Sequence, residues 1–89
     1  PSNAQLFAAY PNPFNPSTQF SVKLKRGGEV GVDIFDLNGR RVDSIAKIHM
    51  DAGDHRIDWK PEGLPSGVYM ARLSRDGKLL SSQKLVLTK

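Results

Sequence analysis

Eighty-nine residues allow one domain, and 38% hydrophobic content supports one modest core. No apolar run is long enough to cross a membrane as a helix, and the absence of cysteine excludes disulfides, thiolate catalysis and zinc knuckles. Thirteen Lys/Arg against nine Asp/Glu give a net charge of +4, interspersed along the chain rather than gathered into the basic stripe that nucleic-acid binding needs.

The chain opens in mid-flow on Pro1-Ser2-Asn3-Ala4-Gln5. Residues 1–9, with a short apolar patch at Leu6-Phe7-Ala8-Ala9, are expected to be the end of a linker from an upstream region. Tyr10-Pro11-Asn12-Pro13-Phe14-Asn15-Pro16-Ser17-Thr18 follows. Its three prolines fix φ and remove three backbone donors, so the stretch is neither helix nor central strand. Tyr10, Asn12 and Asn15, each ahead of a proline, are pushed toward extended geometry. The result is a stiff strap pinned across an edge of a small β-domain, and its rings, Tyr10 and Phe14, are expected to be buried.

Beyond the strap, Phe20, Val22 and Leu24 alternate with Ser21, Lys23 and Lys25, the period-two pattern of a half-buried strand. Arg26-Gly27-Gly28-Glu29 turns the chain into a second alternating face of Val30, Val32 and Ile34, with Phe35 opposite. Asn38-Gly39 predicts a type I′ hairpin turn, because both residues tolerate positive φ. In Arg40–Met50 the apolar positions Val42, Ile45 and Ile48 fit a helical turn or an irregular strand. A strand is expected there, since the segment leaves a hairpin and lies between strands. Asp51-Ala52-Gly53-Asp54 turns again, and His55, Ile57 and Trp59 alternate after it. The breakers of Lys60–Gly67 make a loop, Val68–Arg75 a strand with Tyr69, Ala71 and Leu73 on one face, Asp76-Gly77 a tight hairpin, and Leu80–Leu87 the final strand.

These elements predict an all-β domain over residues 10–89, an immunoglobulin-like antiparallel β-sandwich of about seven strands, with Trp59 in its core. No catalytic residue emerges. Ser66 in Leu64-Pro65-Ser66-Gly67 lacks the strand–elbow–helix setting of a hydrolase nucleophile. No metal or cofactor is expected either. His49 and His55 near Asp51 and Asp54 match no zinc spacing, and Asp33, Asp36 and Asn38 lack the bidentate glutamate of a calcium loop. Asn15-Pro16-Ser17 has proline at the centre of what would be a glycosylation sequon.

Read as a set, these landmarks resemble the C-terminal sorting domain of the type IX secretion system, the immunoglobulin-like tail on many exported proteins of Bacteroidetes-related bacteria. The resemblance runs from Tyr10 to the last residue. It rests on the strap with Pro11, Asn12, Pro13, Phe14, Asn15 and Pro16, and on Val32–Val42 with Gly39 and Arg40 at its turn. It continues with Ala52-Gly53-Asp54-His55 leading to Trp59, with Gly67-Val68-Tyr69, and with the basic-apolar end from Lys84 to Lys89. The family often has Leu-Pro ahead of the first glycine turn, where this chain has Leu24-Lys25, and Asp after the tryptophan, where this chain has Lys60.

The resemblance implies a non-catalytic sorting and anchoring domain behind an exported cargo. Its implied partners are that covalently linked cargo, an outer-membrane translocon and a sorting protease, with no nucleic acid. The cargo passes through the periplasm and ends on the cell surface or in the medium. The strand carrying Lys84 and Lys89 is expected to offer a free edge to a receptor by strand addition, and two isolated copies to exchange strands. An accessory carbohydrate-binding module, which would need a row of exposed aromatics, is the alternative. So is a structural module like that of flagellar hook-capping proteins, which usually lack the full strap and the basic terminal strand.

Overall fold

Where apolar and polar residues alternate the chain forms strands, and the computed structural model, which describes residues 6–89, contains seven of them. In chain order they are β1 (Leu6–Tyr10), β2 (Thr18–Leu24), β3 (Gly28–Phe35), β4 (Arg41–Met50), β5 (Gly53–Trp59), β6 (Gly67–Arg75) and β7 (Lys78–Leu87). They form two antiparallel sheets, ordered β1-β2-β5 and β4-β3-β6-β7. The all-β sandwich expected from the sequence is the architecture found.

The alternating residues supply the inner faces. Phe20, Val22, Leu24, Ile57 and Trp59 face inward from the smaller sheet. They meet Val30, Val32, Ile34, Tyr69, Ala71, Leu73, Leu85 and Leu87 from the larger one. Phe35 points outward as expected, and the Arg72 guanidinium lies over its ring at 4.9 Å. A hydrogen bond of 2.7 Å from Trp59 Nε1 to Asp43 Oδ2 joins β5 to β4, one sheet to the other.

Three expectations need correction. Leu6–Tyr10, expected as linker apart from its last residue, is an edge strand paired with Gln19–Lys23 of β2, and Phe7 stacks on Phe20 at 5.0 Å in the core. The rest of the expected linker, residues 1–5, lies outside the described residues. Tyr10 is 83% exposed, because it ends β1 on the face that does not meet the other sheet. Finally, the Asn38-Gly39 turn is not type I′: Gly39 has φ of 83° but Asn38 does not share the positive sign. Gly39 N–H donates to Asp36 C=O at 3.0 Å and Asp36 N–H to Arg40 C=O at 2.9 Å, a three-residue loop built on a type I turn. Asp36 organises it, its Oδ1 accepting the N–H groups of Asn38 and Arg40 at 2.9 and 3.0 Å. The Asp76-Gly77 turn does have positive φ at both positions, 52° and 82°, as a two-residue hairpin requires.

Tyr69 shows how a loop end is fastened to this frame. Its ring is buried beside Trp59, and its hydroxyl donates to the Pro65 carbonyl at 2.6 Å. This is the tyrosine-corner arrangement of immunoglobulin-like sandwiches. Tyr69→Phe keeps the ring and removes that bond, so urea unfolding should show a loss of about 0.5–1.5 kcal/mol. An unchanged midpoint would mean that the bond holds nothing in place.

Candidate recognition site

The strap Pro11–Ser17 leaves β1 at Tyr10 and crosses to the other sheet, where it runs beside the end of β7. Prolines at 11, 13 and 16 deprive it of donors, so it cannot pair as an ordinary strand. Asn12 replaces what Pro13 lacks. Its carboxamide Nδ2 donates to the Lys84 carbonyl at 2.8 Å, and its Oδ1 accepts the Val86 N–H at 3.0 Å. One residue beyond Pro13 the backbone takes over. Phe14 N–H donates to Val86 C=O at 2.9 Å, and Thr88 N–H donates to Phe14 C=O at 3.0 Å, a parallel bridge. The bonds into Pro11, Pro13 and Pro16 are cis.

Phe14 turns inward from this bridge. It is 1% exposed and lies 5.5 Å from the Trp59 ring, so the strap is anchored in the core as well as on the strand edge. Thr18 closes the strap on itself, its buried hydroxyl donating to the Pro11 carbonyl at 2.7 Å. These contacts correct the expectation of a free terminal edge. Over Lys84–Thr88 the edge groups of the last strand are already paired, twice by the Asn12 side chain and twice by the Phe14 backbone.

The strand register places most of the motif segments together. β1 and β5 end, and β2 begins, where β3 and β7 end and β6 begins. That pole of the sandwich therefore carries the strap, the Asp36–Arg40 turn with Gly39, the loop 60–66, Gly67-Val68-Tyr69 and Lys89. Lys84 lies a short way down β7, exposed. Of the strap residues, Pro11, Pro13, Asn15 and Pro16 are exposed, Asn12 is half-buried and Phe14 belongs to the core. Arg40 is exposed, with its Nε 3.4 Å from Asp36 Oδ2. Val68 is half-buried on the outer face of β6 opposite Val86.

Sequence reasoning missed Thr18, Asp36 and Asp43 as partners that hold this region. Asp36 had a readable signal, an acid three residues ahead of a turn glycine. Asp43 had none, since only folding brings it to Trp59. The histidines converge on Asp51 through different atoms. His49 Nε2 lies 3.1 Å from its Oδ1, and His55 Nε2 lies 2.6 Å from its carbonyl oxygen. Among the described residues no group of three or more His, Asp or Glu side chains is placed to hold a metal ion.

The model of a family described as the secretion system C-terminal sorting domain, the Por secretion tail, matches residues 8–88. The chain belongs to that family. No curated protein and no solved structure matches it. As a sorting domain of type IX secretion it directs a cargo for export and is recognised by that system's machinery, without catalysis. Cargo of such domains is secreted or attached to the cell surface. The family match begins within β1, so the sorting domain includes strand residues ahead of the strap.

Proposed function

We propose that the sorting domain is read in its folded state by an outer-membrane translocon, with a cargo joined ahead of it and a sorting protease acting between the two. The observation that supports this reading is the clamp between Asn12–Phe14 and Lys84–Thr88. It makes the strap and the basic-apolar end parts of one surface, although the bonded residues are separated by 72 to 74 positions in sequence. In this reading Pro11, Pro13, Asn15, Pro16, Arg40, Lys84 and Lys89 face the machinery. Asn12, Phe14, Gly39, Gly67, Val68 and Tyr69 shape the surface that carries them. A homodimer that exchanges β7 would seat each β7 under the strap of the other copy, on its Asn12 and Phe14.

The test is a reporter fused ahead of the chain in a host that carries type IX secretion. Deleting residues 84–89 would not isolate recognition, because it removes Leu85 and Leu87 from the core and the partners of the strap. The double variant Lys84→Glu/Lys89→Glu reverses two exposed charges and should change stability by no more than about 0.5 kcal/mol. Surface and medium delivery should fall while the melting curve stays in place. Delivery equal to the unaltered chain would remove both lysines from the recognition surface. A carbohydrate platform gains no support, since among the described residues Phe7, Phe14, Phe20, Trp59 and Tyr69 are buried, Phe35 is half-buried and Tyr10 alone is an exposed ring.

A further inference from the structure

The poles of the sandwich differ in what they carry. β1 begins at Leu6, which pairs with Lys23 near the end of β2, at the pole that also holds the turns at 25–27, 51–52 and 76–77. The strap, the Asp36–Arg40 turn, the loop 60–66 and Lys89 lie at the other, along a body whose longest extent is 36 Å. We infer that the strap pole is the docking face for a protein of the export machinery, and that the opposite pole, where a cargo joins ahead of Leu6, stays out of the contact. The inference rests on the proposed function and adds to it a location and a mode of binding.

The chemistry of this pole fits a protein partner bound through side chains. A cleft of about 490 Å³ opens beside the strap, lined by Tyr10, Pro11, Gln19, Asp58 and Lys60 among others. The Tyr10 ring stands 83% exposed at its rim, although the fold had a core available for it. Asp58 is held in place by the Gln19 amide, which donates to its Oδ1 at 2.8 Å. The strap Tyr10–Thr18 and the segment Leu85–Lys89 contain no acid, Lys89 ends the second and Lys84 precedes it, while the cleft beside the strap carries both signs, Lys60 and Asp58. An apolar projection with carboxylates on one side therefore complements the surface, the projection packing on Tyr10 and the proline faces and the carboxylates meeting Lys84 and Lys89, clear of Asp58. Strand addition along Lys84–Thr88 is not the mode, because Asn12 and Phe14 already occupy that edge.

Two inserts of about eight Gly/Ser residues separate the poles, one between Glu62 and Gly63 and the other between Ala52 and Gly53. All four flanking residues are exposed. Each is made in the reporter fusion, with Trp59 emission and the melting curve read on the same protein. A third variant, Tyr10→Ser, removes an exposed ring and so guards against an insert that unfolds the domain. Delivery should fall roughly tenfold for the 62/63 insert and for Tyr10→Ser with the fold retained, and stay unchanged for the 52/53 insert. Equal delivery by both inserts, loss confined to the 52/53 insert, or a fully delivered Tyr10→Ser protein would overturn the docking face. If the unaltered fusion is not delivered at all, the proposed function falls with it.

Discussion

Phe14→Ala should destabilise the domain by about 3–5 kcal/mol, read as a lowered midpoint in urea or thermal unfolding of the 89-residue chain. The ring is 1% exposed and fills the space against Trp59, so its removal leaves a cavity that the proline-stiffened strap cannot collapse to fill. Small domains hold roughly 5–15 kcal/mol in total, so this one substitution takes a third or more of a typical reserve. It should also loosen the clamp on the last strand. Hydrogen exchange at the Val86 and Thr88 amides, protected by Asn12 and Phe14, should rise more than exchange at β3 amides. A loss under about 1 kcal/mol, or unchanged protection at those two amides, would show that the strap lies on the surface rather than in the core.

Trp59→Ala should cost about as much, roughly 3–5 kcal/mol, for two separable reasons. One is volume, since Trp59 is 2% exposed and touches both the Phe14 and Tyr69 rings. The other is the indole N–H, the donor across the sandwich to Asp43 at 2.7 Å. Trp59→Phe separates them, keeping much of the ring while leaving a part-buried carboxylate without its partner, for about 1–3 kcal/mol. Combining Trp59→Phe with Asp43→Ala should recover part of that loss, because the orphaned carboxylate goes with its donor. Strict additivity in urea unfolding would mean that the 2.7 Å bond carries no coupling.

The parts of the fold legible in the sequence are those where period two runs unbroken. β3 and β6 alternate through three buried residues and β2 through four, and their inner faces follow directly. β4 was ambiguous for a physical reason. Its pairing with β3 shifts register between Val32 and Asp33 and again between Ile34 and Phe35, so Val42, Ile45 and Ile48 fall three apart, as on a helix. β1 is not legible as a strand because five residues are too few to show a period, and its place depends on pairing with β2. Within the site, proline chemistry foretold a strap and an anchored Phe14. It did not foretell that Asn12 would supply the bonds Pro13 cannot, because that requires knowing which strand lies alongside. For the same reason Tyr10 was expected inside: its aromatic character is in the sequence, but the face on which β1 leaves it is not.

The clamp of Asn12 and Phe14 on Lys84–Thr88 has a bearing on the order in which the molecule is completed. A chain made from the N-terminus produces the strap some seventy residues before the strand it holds, with separations of 72 and 74 for the two Asn12 bonds. Until Lys84 and Val86 have emerged, Asn12 lacks both of its partners and Phe14 its backbone mate, so the sandwich stays open along that side. Any product broken off early lacks the closure altogether. Closure of the sandwich thereby waits on β7, which is made after the six other described strands.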